Sequence, residues 1–167
     1  HLYIGQDVAR TMKAGDLTRK MELARSLRHV QGNCFWPANE ILWNNTGIAD
    51  SLKEHYHRHT ALIPAYTHMY KGRPKKISNT RLTRTKEGYT LTWMTRGDRE
   101  DPRNSQYFVI YRFAPGQSIN LDDPSKIAAI TRYTECYLPA TRTKYRYVVT
   151  AVDRFHNESK GKKIKVK

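Results

Sequence analysis

The sequence has little cysteine and no long apolar run. Only two of its 167 residues are cysteines, Cys34 and Cys136, which is too few for a disulfide framework. Each stands beside aromatic residues, which favours two separate buried thiols over a disulfide between the halves of the chain. No apolar stretch approaches the ~20 residues that a membrane-spanning helix requires. The chain also lacks an initiator Met and a leader, and it begins inside a strand-like segment, so we expect it to be part of a longer protein.

Several common catalytic motifs are also absent. The sequence has no P-loop, no GxGxxG, no serine nucleophile elbow and no Cys/His catalytic signature. His55 and His59 are four residues apart, as zinc-binding pairs are on a helix, but no third ligand has a suitable spacing. The same residues fit the C-terminus of a polar helix, where imidazoles favour the negative end of the helix dipole. We therefore expect no metal ion and no cofactor.

Positive charge is in excess. The formal net charge is +15, and residues 73–167 carry twenty-one Lys or Arg against nine Asp or Glu. Such a surface attracts phosphates, anionic polysaccharides or acidic lipid headgroups alike, and it also fits a plain solvated surface. No groove-reading helix or interleaved aromatic motif is present, so no nucleic-acid partner is expected. Lys163, Lys165 and Lys167 alternate with apolar residues, which predicts the solvated face of an edge strand.

The first seventy residues alternate between short strands and helices. The predicted elements are a strand over 2–5, a helix headed by Asp16, a strand over 30–35, an aromatic loop from Trp36 to Trp43, a helix headed by Thr46 and an apolar closing stretch over 60–66. Strands and helices at this spacing predict a βαβα piece of a parallel sheet or barrel. Two such units are too few to close a barrel.

After a linker around Gly72 the apolar period changes to two. Leu91 and Trp93 share one strand face, and the strongest strand signal spans residues 145–152. The other predicted strands lie near Ile77 and over 107–113, 127–131 and 163–167, and polar turns are predicted at Gly97-Asp98, Asp101-Pro102 and 122–124. Many short alternating strands separated by polar turns predict a β-sandwich of two sheets.

Residues 74–167 resemble a fibronectin type III domain. The resemblance rests on the inward Trp93, on the segment from Leu138 to Tyr145, which is similar to the turn before a tyrosine corner, and on the alternating strand 147–153. It implies a seven-stranded β-sandwich over residues 71–167. Together with the N-terminal segment this makes the expected fold class α+β.

The whole chain resembles the C-terminal region of the YddW-like lipoproteins, a glycosyl-hydrolase-like family-10 group. The segments that carry the resemblance are YIGQD (3–7), QGNCFW (31–36), ALIPAY (61–66) and VVTAVDRFHNES (148–159). It implies that residues 1–70 are the last two βα units of a (β/α)8 barrel, followed by the sandwich, on a lipid-anchored protein of the bacterial cell envelope. Carbohydrate would then be the partner of the parent barrel, and a membrane would be contacted only through an upstream lipid anchor.

Ligands of such barrels bind at the loops that follow the strands. The resemblance therefore makes the residues near the two strand ends candidates for substrate binding: Gln6, Asp7, Asn33, Phe35 and Trp36. Strand-end hydrogen bonding explains the polar residues equally well, and packing on the barrel rim explains Trp36 and Trp43 as well as stacking on a sugar does. Glycoside cleavage requires two carboxylates about 5–10 Å apart, and only Asp7 stands at a strand end, so no catalytic residue is assigned.

Two functional hypotheses follow from the sequence. The first is the C-terminal part of a cell-envelope glycoside hydrolase, itself non-catalytic, with the sandwich as a spacer, accessory or carbohydrate-contacting module. The second is a basic adhesion or anionic-polymer-binding module without a hydrolase. A partial barrel leaves unpaired strand edges and a bare apolar face, so we also expect helices packed on the sandwich or association with a second copy.

Overall fold

The computed structural model describes residues 1–95 and 104–164 and has the expected mixed α+β composition. The chain divides into two compact units, residues 1–59 and 60–167. Residues 60–70, which we assigned to the barrel segment, belong to the second unit. The predicted turns at Gly97-Asp98 and Asp101-Pro102, together with Lys165 and Lys167, lie outside the described residues.

The N-terminal unit contains two parallel strands and a series of short helices. In chain order these are β1 (Leu2–Asp7), α1 (Val8–Lys13), α2 (Leu17–Ser26), β2 (Val30–Trp36), α3 (Ala38–Trp43) and α4 (Ile48–Ser51), which continues as a π-helical turn over Leu52–Tyr56. The predicted order of strand, helix, strand and helix is present. Neither α1 nor α3 was predicted from the sequence, and the residues of α3 were assigned to an aromatic loop. The two strands do not close into a barrel.

The helices of this unit cover the strands with a small apolar cluster. Val8, Met21 and Ile48 are almost completely buried in it, and Phe35 of β2 packs against it. On α2 the buried residues recur at the helical period, as predicted. The predicted stripe ends earlier than expected, because α2 stops at Ser26 and leaves Leu27 43% exposed.

The helix starts differ from the predicted caps. Asp16 precedes α2, but its carboxylate accepts a hydrogen bond from Arg19 Nε at 3.2 Å and caps no backbone N–H. Gly47, in the left-handed conformation with φ of 72°, precedes α4 in place of Thr46. Glycine adopts this conformation without steric cost, whereas a residue with a side chain is strained there.

In the part of the C-terminal unit that the structure describes, seven strands form two antiparallel sheets. The strands are β3 (Ser78–Arg84), β4 (Gly88–Met94), β5 (Tyr107–Phe113), β6 (Ile127–Thr131), β7 (Glu135–Pro139), β8 (Arg146–Val152) and β9 (Lys162–Ile164), and a 3-10 turn over Pro124–Lys126 precedes β6. Their order is β3-β4-β7 in one sheet and β6-β5-β8-β9 in the other. β7 was not predicted from the sequence, and its residues overlap the segment that resembles the turn before a tyrosine corner.

One apolar cluster joins residues of both sheets. Leu91 and Trp93 of β4 are buried in it as predicted, and the Trp93 ring meets the Phe108 ring edge to face at 5.2 Å. At the edge strand β9 the described residues follow the predicted alternation, because Ile164 is buried in the same cluster and Lys163 is exposed. A charged residue on an exposed edge opposes pairing with another chain.

Both cysteines are free thiols. Cys136 is partly buried, but the predicted burial of Cys34 is wrong. Successive side chains of a strand face opposite sides, and Cys34 shares the exposed side of β2 with Trp36, while Phe35 faces the helices. None of the described helices has both the length and the apolar character needed to cross a membrane.

Candidate functional site at the ends of β1 and β2

The parallel register brings the predicted substrate-binding residues to one end of the two strands. Gln6 lies opposite Phe35, and Asp7 lies opposite Trp36. Gln6 is only 5% exposed, and its Nε2 donates a hydrogen bond to Asn33 Oδ1 at 3.1 Å. Buried amides need such partners, because an unpaired polar group inside a protein is costly. The pair therefore has a structural role whether or not a ligand also contacts it.

Asp7 has a defined role in the local backbone. It is the N-cap of α1, and its Oδ1 accepts a hydrogen bond from the backbone N–H of Arg10 at 3.0 Å. Its Oδ2 lies 3.5 Å from Arg10 Nε. A carboxylate at a helix start satisfies a free N–H and interacts favourably with the helix dipole. Asp7 therefore has a structural role as the cap of α1, and the substrate contact that the resemblance implies for it stays a prediction.

Removal of this cap is expected to weaken α1. Asp7→Ala should lower the free energy of local opening by about 1 kcal/mol, whereas Asp7→Asn should change it by a few tenths, because asparagine caps as well as aspartate. The measurement is hydrogen exchange of the α1 amides in the two variants. Equal protection of these amides in Asp7→Ala and the unmodified protein would contradict the capping role.

The two aromatic residues at the strand ends face opposite sides. Phe35 packs into the apolar cluster, with its ring centroid 6.3 Å from that of His57. Trp36 is 48% exposed, and its ring covers Gly5, where an added Cβ would lie 2.7 Å from Trp36 Cζ3. Trp43 is 66% exposed at the end of α3. Of the two aromatic residues among the five predicted site residues, Trp36 is therefore the more accessible to a ligand.

A cavity of about 180 Å³ lies beside Asn33. Arg25 and His57 also line it, and neither was singled out from the sequence. Burial, and then the charge of Arg25, lower the pKa of His57, so its imidazole is neutral at pH 7. The cavity is smaller than the roughly 300 Å³ at which small-molecule sites begin, so it suits a water-sized group better than a sugar.

The histidine pair considered for zinc does not share a helix face. The π-helical turn ends at Tyr56, so His55 belongs to it and His59 lies beyond it. Across residues 1–95 and 104–164, no three His, Cys, Asp or Glu side chains form a group that could hold a metal ion. Two further carboxylates of this unit have local partners, since Asp16 binds Arg19 and Asp50 accepts a hydrogen bond from Asn44 Nδ2 at 2.7 Å.

No protein-family model matches the chain. Among curated proteins, glycosyl hydrolase YngK from Bacillus subtilis is 30% identical over 98% of this chain. The chain is therefore similar to part of a glycosyl hydrolase. It spans 34% of the length of that relative, so the activity of the whole relative does not transfer to it directly.

Two solved structures show weaker likeness. The titin kinase with its flanking domains matches 53% of this chain and 16% of its own, with a TM-score of 0.43 and 16% identity. The glycoside hydrolase domain of Endo-D from Streptococcus pneumoniae matches 56% of this chain and 15% of its own, with a TM-score of 0.38 and 13% identity. Scores this low support no conclusion about fold or function.

Proposed function

We propose that this chain is the C-terminal, non-catalytic part of a glycoside hydrolase. The observation that carries the proposal is the similarity to glycosyl hydrolase YngK over nearly the whole chain, combined with its coverage of about a third of that protein. In this proposal residues 1–59 are the last βα units of the parent barrel. The parallel pairing of β1 with β2, each followed by helices, supports this assignment.

The arrangement of carboxylates supports the non-catalytic part of the proposal. Glycoside hydrolysis requires two carboxyl groups that flank the bond, separated by about 5–10 Å. In residues 1–59, all of which the structure describes, Asp7 is the only carboxylate at a strand end, and it caps α1. A capping carboxylate without a second acid at the neighbouring strand end has no partner for acid–base catalysis.

Assays of glycoside cleavage test this proposal. The purified chain is expected to give no turnover of aryl glycosides or bacterial cell-wall polysaccharides above the background of buffer. The matched comparison is the same chain joined to the sequence that precedes it in its parent protein, which should be active. Turnover by the chain alone, abolished in Asp7→Asn, would show that the chain is itself an enzyme.

For the C-terminal unit we propose a fibronectin type III-like accessory module. Two antiparallel sheets, one of three strands and one of four, contribute side chains to one apolar cluster, and Trp93 faces this cluster as expected. This arrangement supports the assignment. The module would act as a spacer or contact carbohydrate beside the barrel. Location in the bacterial cell envelope through an upstream lipid anchor is a further part of the proposal that follows from the sequence resemblance. Association of two copies is another part, and it follows from the unpaired strand edges of a partial barrel.

A second candidate function is binding of anionic polymers, and the charge of residues 73–167 favours it. Their twenty-one Lys or Arg against nine Asp or Glu create a positive surface that attracts polyanions. Binding to an anionic polysaccharide is expected to weaken steeply as salt is raised, because bound cations are released when charges are neutralised. Binding that does not respond to salt would exclude this function.

A further inference from the structure

Four strands of the C-terminal unit carry apolar side chains that face the space between the sheets. At one end of these strands, the next position on the same face is occupied by Arg or Tyr. The four positions are Arg84 on β3, Tyr89 on β4, Arg112 on β5 and Tyr147 on β8. Each lies two residues along its strand from an apolar core residue on the same face. These core residues are, in the same order, Leu82, Leu91, Ile110 and Val149. Strand pairing joins them, since Arg84 is opposite Tyr89 and Arg112 is opposite Tyr147.

Three of these residues, Arg84, Tyr89 and Tyr147, line a pocket of about 380 Å³, which we call the cation–tyrosine pocket, and Arg112 lies beside it. Its lining comprises Arg84, Tyr89, Thr143, Lys144, Tyr145, Arg146 and Tyr147. Tyr147, only 4% exposed, is its most buried lining residue, whereas Tyr89 and Tyr145 are partly exposed. The guanidinium of Arg112 lies 5.3 Å from the centre of the Tyr145 ring, which orients the arginine at the edge of the pocket.

The described residues that line the pocket include basic side chains and no acidic one. Within the described part of the chain, no ion pair engages Arg84, Arg112 or Lys144, and Arg146 donates a hydrogen bond to the backbone carbonyl of Gln117. Burial raises the pKa of Tyr147, and the nearby charge of Arg112 opposes that rise. Exposed cations without acidic neighbours create a local positive potential.

The size and chemistry of the pocket limit the ligands that fit it. A volume of about 380 Å³ lies at the low end for small-molecule sites and suits one or two sugar units. Nucleic-acid grooves follow a strand over about four or more nucleotides, which this short pocket does not. Arginine binds carboxylates and other oxyanions through paired hydrogen bonds, and exposed tyrosine rings offer flat apolar faces.

We propose that the cation–tyrosine pocket binds an acidic sugar unit, carrying a carboxylate or a sulfate, within an anionic polysaccharide. The proposal rests on the anion-binding function proposed above and assigns that function a site. Arg84, Arg112 and Lys144 contact the acidic group, and the rings of Tyr89 and Tyr145 contact the sugar.

The test is an NMR titration of the full chain at about 150 mM salt, where long-range charge effects are screened. The probes are a galacturonate tetramer, a chondroitin sulfate tetramer and a neutral galactose tetramer. Amides of Arg84, Tyr89 and Lys144 are expected to shift with an acidic tetramer and not with the neutral one. The galacturonate and chondroitin sulfate arms show which acidic group is preferred.

Matched variants separate the site from the overall charge. Arg84→Gln and Arg112→Gln should each weaken binding of the preferred acidic tetramer about tenfold. Arg81→Gln is the control, because Arg81 is an exposed residue on the same strand, next to Leu82 and therefore on the opposite face from Arg84. It removes the same charge and should weaken binding less than about twofold, as screening predicts for a distant charge.

Three other outcomes would overturn the proposal, and they differ in what else they exclude. Absence of binding to both acidic tetramers would exclude the site, and absence of binding to an anionic polysaccharide at low salt as well would exclude the anion-binding function with it. Equal weakening by Arg81→Gln and Arg84→Gln would exclude the site and leave the anion-binding function standing. An affinity for the neutral tetramer equal to that for the acidic ones would exclude an acidic sugar as the specific ligand. The same conclusion would follow if an oligothymidylate, added as a further probe, bound with equal affinity and the same dependence on Arg84.

Discussion

Replacing Trp93 with alanine is expected to lower the free energy of unfolding of the C-terminal unit by about 3–5 kcal/mol. The side chain is 3% exposed, and it packs in the cluster that joins the two sheets, with its ring 5.2 Å from that of Phe108. Alanine at this position leaves a cavity in addition to the loss of buried apolar area. The measurement is a urea titration of the full chain, followed by the amide signals of β5 and β8.

Trp93→Phe is the matched control. Within the described residues the buried Nε1 of Trp93 has no hydrogen-bond partner, so phenylalanine removes an unpaired donor while it keeps an aromatic ring beside Phe108. An unpaired buried donor costs about 1–3 kcal/mol, which offsets part of the lost packing. We therefore expect Trp93→Phe to lower the free energy of unfolding by about 1 kcal/mol or less. A loss as large as that of alanine would contradict this balance.

Asp153→Ala is the second change with a large expected effect, a loss of about 3 kcal/mol in the free energy of unfolding. Asp153 is completely buried, and its Oδ1 accepts hydrogen bonds from the backbone N–H groups of Phe155 at 2.8 Å and Asn157 at 2.9 Å. Asn157 Nδ2 donates to its Oδ2 at 3.2 Å and also to the backbone carbonyl of Tyr70, at 3.2 Å. Alanine would leave these donors without the acceptor that orders the loop after β8.

Asp153→Asn tests whether the acceptor or the charge matters more. Asparagine keeps one carbonyl oxygen for the two backbone donors but places an NH2 group against Asn157 Nδ2. We expect it to cost about half as much as alanine, since hydrogen bonds to a charged group are worth more than those to a neutral one. Urea titration followed by the amide signals of β8 measures both variants. Equal losses would show that the retained oxygen contributes nothing.

The sequence predicted the elements in which burial follows a simple period. Leu91 and Trp93 alternate on β4, the stripe on α2 repeats at the helical period, and the buried Ile164 beside exposed Lys163 marks an edge strand. These patterns are local, because each element turns its apolar side towards one core, so the residue spacing alone indicates the element. The resemblance to a glycosyl hydrolase was also carried by short segments, and the similarity to YngK agrees with it.

The elements that the sequence analysis missed depend on distant partners. β7 has a single buried residue, Leu138, and forms a strand because its backbone pairs with β4. α1 and α3 have six residues each, too short to form alone, and they are stabilised by packing around Val8 and Ile41. The capping role of Asp7 was missed for the same reason, since the helix that it caps was not predicted.

The sequence by itself determined the α+β class, the change of period at the linker and the concentration of positive charge after residue 73. These are sums and periodicities along the chain, so they need no knowledge of which strands pair. Only the tertiary structure decided which cations share a site. Arg84 and Arg112 belong to different sheets, and the fold places Arg84 in the pocket that Tyr145 and Tyr147 line, while Arg112 pairs with Tyr147 and contacts the Tyr145 ring. A distribution of charge along a sequence becomes a binding pocket only when the fold brings separate strands together.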